Sequence, residues 1–130
     1  MTPMEILQTW KTFAVVGLSD RPERPSWSVA TFLKSRGYRI VPVNPRLREV
    51  LGETCYPDLR SVPFPVEVVD IFRRSEMVGP IVDDAIAIAA KAVWMQLGVI
   101  DQSAAARARA AGLEVVMDRC PAIELRRTGR

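Results

Sequence analysis

The sequence contains no histidine and only two cysteines. Without an imidazole, the usual catalytic triads, histidine general acid–base chemistry, histidine metal ligands and phosphohistidine intermediates are all excluded. The two cysteines, Cys55 and Cys120, lack the paired spacing of a disulfide framework or a zinc site. We therefore expect both to be free thiols.

Neither sign of charge dominates, because 18 basic and 15 acidic residues leave a net charge of +3. No basic stripe is interleaved with aromatic residues, so an anionic small molecule is a better match than nucleic acid. The N-terminus lacks the pattern of an export signal, and the longest apolar stretch, residues 85–100, is too short to cross a bilayer. We expect a cytoplasmic protein with no membrane or nucleic-acid partner.

Five short apolar runs alternate with helical patterns, which is typical of a parallel sheet covered on both faces. The runs are residues 13–18, 38–43, 66–72, 92–97 and 113–117. They predict one doubly wound, Rossmann-like α/β domain over residues 1–130, with a five-stranded parallel sheet in the order 3-2-1-4-5 and helices on both faces. Four prolines between residues 44 and 65 predict an irregular connection with one helical turn.

Helix ends are marked by capping residues and glycines. Thr2, followed by Pro3 and Glu5, predicts a capped N-terminal helix. Ser26 and Asp101 are predicted N-caps of two further helices, which Gly37 and Gly112 terminate.

The loop after the first predicted strand, GLSDRPERPS, is poor in glycine. In an open parallel sheet, ligands lie beyond the carboxyl ends of the strands, and a dinucleotide loop there usually carries several glycines. Here Gly17 is followed by Ser19, Arg24 and Ser26. The N–H groups of the next helix and the arginine favour an anion such as phosphate.

The second predicted strand ends in PVNPRLR and carries no carboxylate at the place where an NAD-binding fold usually has one. Asn44 can hydrogen-bond a ribose or an adenine, while Arg46 and Arg48 can bind a phosphate attached to the ribose. The pattern excludes plain NAD and leaves NADP and coenzyme A, since both carry such a phosphate.

The remaining strand ends supply four more candidates. Phe72 and Arg73 follow the third strand, where they can stack on a base or line a channel and bind phosphate. Gln96 follows the fourth strand and can bind an amide-containing ligand. Cys120, after the fifth, is expected at the ligand-facing edge of the sheet.

Together, the segments VVGLSDRPERPSWSVATFLKSRGYRIVPVNP, VDIFRRSE, AVWMQLGV and VMDRCPAIE resemble the small stand-alone coenzyme A-binding proteins of bacteria and archaea. These are similar to the N-terminal CoA-binding domain of the succinyl-CoA synthetase α subunit. The resemblance covers residues 12–126 and implies a Rossmann-like fold that binds coenzyme A or an acyl-CoA.

The resemblance also implies roles for individual residues. The expected phosphate contacts are Gly17, Ser19, Arg24 and Ser26. Asn44 and Arg46 are expected at the adenosine 3′-phosphate, and Phe72, Arg73 and Gln96 along the pantetheine arm. Leu18, Pro45 and Gly98 complete the predicted binding set.

The synthetase uses a phosphohistidine from a second domain, together with a partner subunit, and this chain has no histidine. We therefore expect binding without catalysis, as a carrier, a sensor or a partner subunit of another protein. Two alternatives stay open. One is an NADP-binding, reductase-like domain, and the other is thiol exchange with coenzyme A through Cys120.

Overall fold

The computed structural model describes residues 1–127, so the last three residues of the predicted 1–130 domain lie outside the described residues. Strands and helices alternate along this part of the chain. They are α1 (Pro3–Thr9), β1 (Thr12–Val16), α2 (Pro25–Ser35), β2 (Arg39–Val43), β3 (Glu49–Val50), β4 (Glu53–Thr54), β5 (Val68–Ile71), α3 (Val78–Ala87), β6 (Ala92–Met95), α4 (Gln102–Ala110), β7 (Glu114–Val116) and α5 (Pro121–Arg127). Short 3₁₀ turns cover Leu59–Ser61 and Ser75–Met77.

Five strands form one parallel sheet in the order β2-β1-β5-β6-β7. Each lies within a predicted apolar run, except that β1 begins one residue earlier, at Thr12. Helices α1, α2 and α5 pack on one face of the sheet, and α3 and α4 pack on the other. The predicted Rossmann-like α/β fold with helices on both faces is therefore confirmed.

The predicted strand order is wrong. Counting only the five long strands, the order is 2-1-3-4-5 instead of 3-2-1-4-5, because β5 pairs with β1 and not with β2. Pro42 explains the difference, since proline has no N–H to donate and is confined to edge strands. Its carbonyl accepts from the N–H of Tyr56 at 3.0 Å, so a bridge from the following loop covers the outer edge of β2.

The predicted irregular connection contains an antiparallel hairpin of β3 and β4 in addition to its 3₁₀ turn. The hairpin was not predicted, because strands of two residues leave no periodic pattern. Leu51 and Gly52 turn the chain with positive φ angles of 55° and 75°. The connection then runs over the face of the sheet that α3 covers, where Leu59 and Val66 join the core, and brings β5 to the far side of β1.

Most predicted helix ends are confirmed. Thr2 and Glu5 form a reciprocal capping box, in which each side chain accepts from the other's backbone N–H. The Asp101 side chain caps α4, and Gly37 and Gly112 directly follow the last turns of α2 and α4. Thr2 and Asp101 therefore mark where α1 and α4 begin, and Gly37 and Gly112 mark where α2 and α4 end.

Ser26 is not the N-cap of α2, which corrects the prediction. Arg24 holds that position without a side-chain hydrogen bond, and Pro25 is the first helical residue. Proline suits this place because its fixed φ angle matches the helix and its missing N–H has no partner there. Ser26 therefore lies inside the first turn, where its hydroxyl accepts from the N–H of Ser19 at 3.0 Å.

No helix among residues 1–127 is long and apolar enough to span a membrane.

Candidate functional site

The carboxyl ends of β1, β2 and β5 border two adjoining cavities. The larger, of about 500 Å³, is called the arginine cavity, and its lining includes Ser19, Arg21, Arg24, Ser26, Asn44, Arg46 and Phe72. The smaller, of about 220 Å³, is called the proline cavity, and its lining includes Val43, Pro45, Pro57, Leu59, Arg73, Pro80 and Ile81. Gly17 lines both. They lie where the strand order reverses, between β1 and β5, which is where doubly wound sheets bind ligands.

Gly17 makes the junction of the two cavities possible. Its φ angle is +87°, and a Cβ atom built there would lie 2.5 Å from the carbonyl oxygen of Phe72. The N–H of Gly17 donates to the carbonyl of Val43 at 2.9 Å, which fixes the end of β1 against β2. Only glycine fits this conformation and this close approach.

The loop after β1 is held by its own serines. The N–H of Arg21 donates to the hydroxyl of Ser19, and the N–H of Ser19 donates to the hydroxyl of Ser26, both at 3.0 Å. A serine hydroxyl that accepts one hydrogen bond still has its own proton to donate. Both predicted serines therefore line the arginine cavity with a donor available to an anion.

Three arginines around the arginine cavity have no acidic partner. In the described part of the chain, no carboxylate lies within ion-pair distance of Arg21, Arg24 or Arg46, although Asp20 lines the same cavity. Helix α2 also begins at this cavity, so the positive end of its dipole faces the same space. The arrangement favours an anionic ligand with more than one charged group.

The Asn44 side chain makes two hydrogen bonds to the backbone of the loops around the arginine cavity. Its Nδ2 donates to the carbonyl of Leu18 at 3.1 Å, and its Oδ1 accepts from the N–H of Arg46 at 2.9 Å. The side chain thus ties the loop after β1 to the loop after β2. Leu18, a predicted ligand contact, is fully buried in the core, and its carbonyl takes part in this tie.

Neighbouring residues divide between the two cavities. Pro45 lines the proline cavity while Arg46 lines the arginine cavity, and Phe72 lines the arginine cavity while Arg73 lines the proline cavity. Gly17 completes the boundary between them. A ligand that crosses this boundary can therefore place a charged group on one side and an apolar group on the other.

The end of β6 stands apart from both cavities. Gln96 and Gly98, two predicted contacts, line neither of them. Gln96 is 7% exposed and its Oε1 has no hydrogen-bond partner among residues 1–127, while the N–H of Gly98 donates to the carboxylate of Asp118 at 2.7 Å. The structure therefore brings Gln96 neither into the cavity that Phe72 lines nor into the one that Arg73 lines.

Both cysteines are free thiols, as predicted, and both are buried. Cys120 is 5% exposed, belongs to the core cluster that also contains residues of α2 and α5, and lines neither cavity. The Cys55 thiol lies 3.5 Å from the carbonyl of Asn44, and burial raises its pKa. Buried thiols of this kind pack as small apolar side chains.

Asp70, in the middle of β5, was missed by the sequence analysis. Its side chain is fully buried, neither carboxylate oxygen has a hydrogen-bond partner in the described part of the chain, and burial raises its pKa well above the usual range. It lies opposite Val15 and Trp94 in the sheet, two residues before Phe72. The predicted apolar run VEVVDIF hid this residue, because a single polar residue does not interrupt such a run.

The proline cavity was also missed. Pro57 and Leu59 come from the connection between residues 44 and 65, and Pro80 and Ile81 come from the first turn of α3. None of them follows directly after a strand, so the search of strand ends did not reach them. Arg21 lies in the loop after β1, which the sequence analysis had selected. Only the structure shows that Arg21 has no ion pair in the described part of the chain.

Comparison with known proteins gives a consistent result. Residues 11–126 match the model of a protein family described as CoA binding domain. The uncharacterized protein YneT of Bacillus subtilis is 39% identical over 116 residues, which cover 89% of this chain and 86% of that protein. A hypothetical protein from Pyrococcus horikoshii has a solved structure that is 38% identical, with a TM-score of 0.93 over 98% of this chain and 92% of that one.

A part of the chain is also similar to a much longer enzyme. Acetate–CoA ligase (ADP-forming) II of Archaeoglobus fulgidus is 33% identical over 63 residues. The match covers 47% of this chain and 9% of the ligase.

Proposed function

The chain belongs to the CoA binding domain family, and we propose that it binds coenzyme A or an acyl-CoA without catalysing a reaction. One observation carries this proposal. Arg21, Arg24 and Arg46 surround a cavity at the switch point of the sheet and have no carboxylate partner in residues 1–127. Clustered cations without counter-charges destabilise a protein unless an anion neutralises them.

Coenzyme A carries phosphate at two places, a 5′-diphosphate and a 3′-phosphate, which suits a cavity with three unpaired arginines. Its diphosphate is expected beside Arg21 and Arg24, with the hydroxyls of Ser19 and Ser26 as further donors. Its 3′-phosphate is expected at Arg46, which extends from the loop after β2. Guanidinium groups bind phosphate oxygens in pairs, so each arginine supplies orientation as well as charge.

The pantetheine arm is proposed to leave the arginine cavity past Phe72 and Arg73 and to reach Gln96. The buried Oε1 of Gln96 supports the last contact, because it has no hydrogen-bond partner among the residues that the structure describes. An amide N–H of pantetheine is the kind of donor that such an oxygen needs. Gly98, the next predicted contact, lies two residues further along the chain.

The side chains that line the cavities support the proposal of binding without catalysis. Neither cavity is lined by a histidine or a cysteine, and no group of three or more metal-binding side chains occurs in the described residues. The ligase relative is far longer than this chain, so its named activity is not transferred. We propose a single binding domain in the cytoplasm that carries or senses coenzyme A, or that serves another protein as a subunit.

Isothermal titration calorimetry with coenzyme A and dephospho-CoA tests this proposal. The native protein is expected to bind coenzyme A about tenfold more tightly, since a charge-assisted contact contributes about 1.5 kcal/mol. Arg46→Gln should remove that preference. The matched control is Arg109→Gln, which alters an exposed arginine of α4 that also has no ion pair within residues 1–127.

Two outcomes would contradict the proposal. Equal affinities for coenzyme A and dephospho-CoA would remove the role given to Arg46. Thermal stabilisation by NADPH but not by coenzyme A would instead support an NADP-binding domain.

A further inference from the structure

A further cavity lies at the opposite edge of the sheet from the arginine and proline cavities. It has a volume of about 200 Å³ and is called the lysine cavity. Lys11, which lines it, directly precedes β1, and Tyr38, which also lines it, directly precedes β2. The cavity therefore borders the amino ends of these two strands. The five residues of β1, at about 3.3 Å each, separate it from the arginine cavity by about 16 Å.

The buried part of the lysine cavity is apolar. Leu7 of α1 is fully buried, and Tyr38 and Leu125 are each 5% exposed. The Tyr38 hydroxyl donates to the carbonyl of Leu7 at 2.6 Å, which fixes the ring and leaves no hydroxyl proton for a ligand. One water molecule occupies about 30 Å³ in the liquid, so the cavity has room for an organic molecule of about seven times that size.

Two exposed cations border the same cavity. The Nζ of Lys11 lies 4.4 Å from the centre of the Tyr38 ring and donates to the carbonyl of Leu7 at 3.3 Å. The guanidinium of Arg36 lies 4.6 Å from the centre of the Phe32 ring. Contacts between cations and aromatic faces are attractive, so both side chains are held beside the cavity.

Neither cation is neutralised by a carboxylate. Within residues 1–127, no carboxylate lies within ion-pair distance of Lys11 or Arg36, and none lines the lysine cavity. An ammonium has three donors, of which Lys11 uses one, and the five donors of Arg36 make no hydrogen bond within the same residues. The negative ends of α1 and α2 favour a cation at each position, yet most of these donors are left for a ligand.

We propose that the lysine cavity binds a small organic anion that has one carboxylate and a short apolar chain. The carboxylate lies at Lys11 and Arg36, where the guanidinium can bind both of its oxygens. The chain lies against Leu7, Tyr38 and Leu125 and is removed from water. An inorganic anion has no apolar part for these walls, and both cations repel an amine. The inference does not depend on the proposed function, because coenzyme A and the arginine cavity take no part in it.

Three probes separate the contribution of the charge from that of the chain. Hexanoate has both parts, acetate has the carboxylate without the chain, and hexylammonium has the chain with the opposite charge. Each is titrated into the native protein and followed by ¹H–¹⁵N NMR, which reports the affinity and the position of the ligand together.

Hexanoate should shift the amide signals of Leu7, Gln8 and Arg36 with a Kd of about 1 mM, which is ordinary for a ligand with so few atoms. The signals of Gly17 and Ser19, at the arginine cavity, should not move. Shifts at Gly17 and Ser19 alone would place the anion in the arginine cavity and overturn the proposal. The absence of any shift at about 10 mM, ten times the expected Kd, would overturn it as well.

Acetate should bind more weakly than hexanoate by about tenfold or more. Each CH₂ group removed from water strengthens binding about fourfold, so burial of two of the four additional groups gives about sixteenfold. Hexylammonium should produce no saturating shift at the lysine cavity. Equal affinities for hexanoate and acetate would mean that only exposed charge is involved, and equal affinities for hexanoate and hexylammonium would mean that the cations recognise nothing. Either result would overturn the proposal.

Variants of the two cations test their roles. Arg36→Gln and Lys11→Gln should each weaken the binding of hexanoate about five- to tenfold, since each removes a charge-assisted contact. The NMR spectrum of each variant shows whether it is folded.

Arg39→Gln is the matched control. Arg39 is an exposed arginine of β2 whose guanidinium lies 3.9 Å from the centre of the Phe64 ring, and it lines a different cavity. Like Arg36, it has no ion pair in the described part of the chain. This control should keep the native affinity for hexanoate. An equal loss in all three variants would show a response to net charge alone and would overturn the site.

Discussion

Gly17 lies directly against the backbone of Phe72, so that a Cβ atom at Gly17 would come within 2.5 Å of the Phe72 carbonyl oxygen. The two residues end neighbouring strands, β1 and β5, on either side of the switch point. Their close approach brings the arginine cavity and the proline cavity together. One methyl group at this position would therefore disturb both the fold and the site.

We predict that Gly17→Ala lowers the free energy of unfolding by about 2 kcal/mol or more. Part of the loss is the strain of a positive φ angle in alanine, of about 1 kcal/mol, and the rest is the clash with Phe72. Urea denaturation measures the change. Coenzyme A affinity of the folded fraction should fall as well, because Phe72 must move.

Gly37→Ala separates the two causes. Gly37 has a φ angle of +90°, but a Cβ atom there would meet nothing within 4 Å. This variant should lose about 1 kcal/mol, the conformational part alone. If both variants lose the same amount, the contact with Phe72 contributes nothing and the argument from close approach fails.

Asp70 predicts an unusual dependence of stability on pH. Burial raises its pKa in the folded state, whereas in the unfolded chain it ionises near the ordinary carboxyl value of about 3.9. Below that value the carboxyl is neutral in both states, so its protonation makes no pH-dependent contribution to stability. Above it, the unfolded state releases a proton that the folded state retains. Stability is therefore lost by about 1.4 kcal/mol for each pH unit, until the folded pKa is reached.

The variant Asp70→Asn cannot ionise and should remove this loss. Urea denaturation is measured at intervals between pH 4 and pH 8. The free energy of unfolding of the native protein is expected to fall relative to that of the variant as the pH rises. Parallel curves for Asp70→Asn would show that Asp70 is not held neutral.

The unpaired arginines predict selective stabilisation by oxyanions. Any ligand that binds only the folded state raises stability, by about 1.4 kcal/mol at tenfold its Kd, which corresponds to a few degrees in Tm. Sodium sulfate should therefore raise the Tm of the native protein more than sodium chloride of equal ionic strength. Differential scanning calorimetry measures both.

Sulfate also stabilises most proteins through exclusion from their surface, so a variant must isolate the site effect. In the double variant Arg24→Gln, Arg46→Gln, only this general effect should remain. If the difference in Tm between sulfate and chloride is the same in the native protein and the double variant, the arginine cavity does not bind anions.

The strands could be predicted because their apolar residues leave clear runs, and the helix ends because Thr2, Asp101, Gly37 and Gly112 have local roles. The strand order depended on a contact that is distant in sequence, between Pro42 and Tyr56. Pro42 was the one signal in the sequence for the position of β2 in the sheet. Its lack of an N–H already favoured an edge position for β2.

The arginine cavity could be predicted for the same reason as the strands, since its residues directly follow β1, β2 and β5. The proline cavity could not. Leu59 and Ile81 meet only because the connection after β2 crosses the sheet and packs against α3. Asp70 could not be predicted as a buried charge-bearing residue either. A run of apolar residues predicts a buried strand as a whole and does not single out one polar residue within it.

Asn44 gives a final prediction that separates positioning from direct contact. Its side chain joins Leu18 to Arg46 through one donor and one acceptor. Asn44→Ala breaks both bonds, so the loss in stability should be about 2 kcal/mol. If Asn44 acts by positioning Arg46, Asn44→Ala should also lose the preference for coenzyme A over dephospho-CoA. Calorimetry with both ligands decides, because a residue that bound the ribose directly would weaken both ligands equally and leave their ratio unchanged.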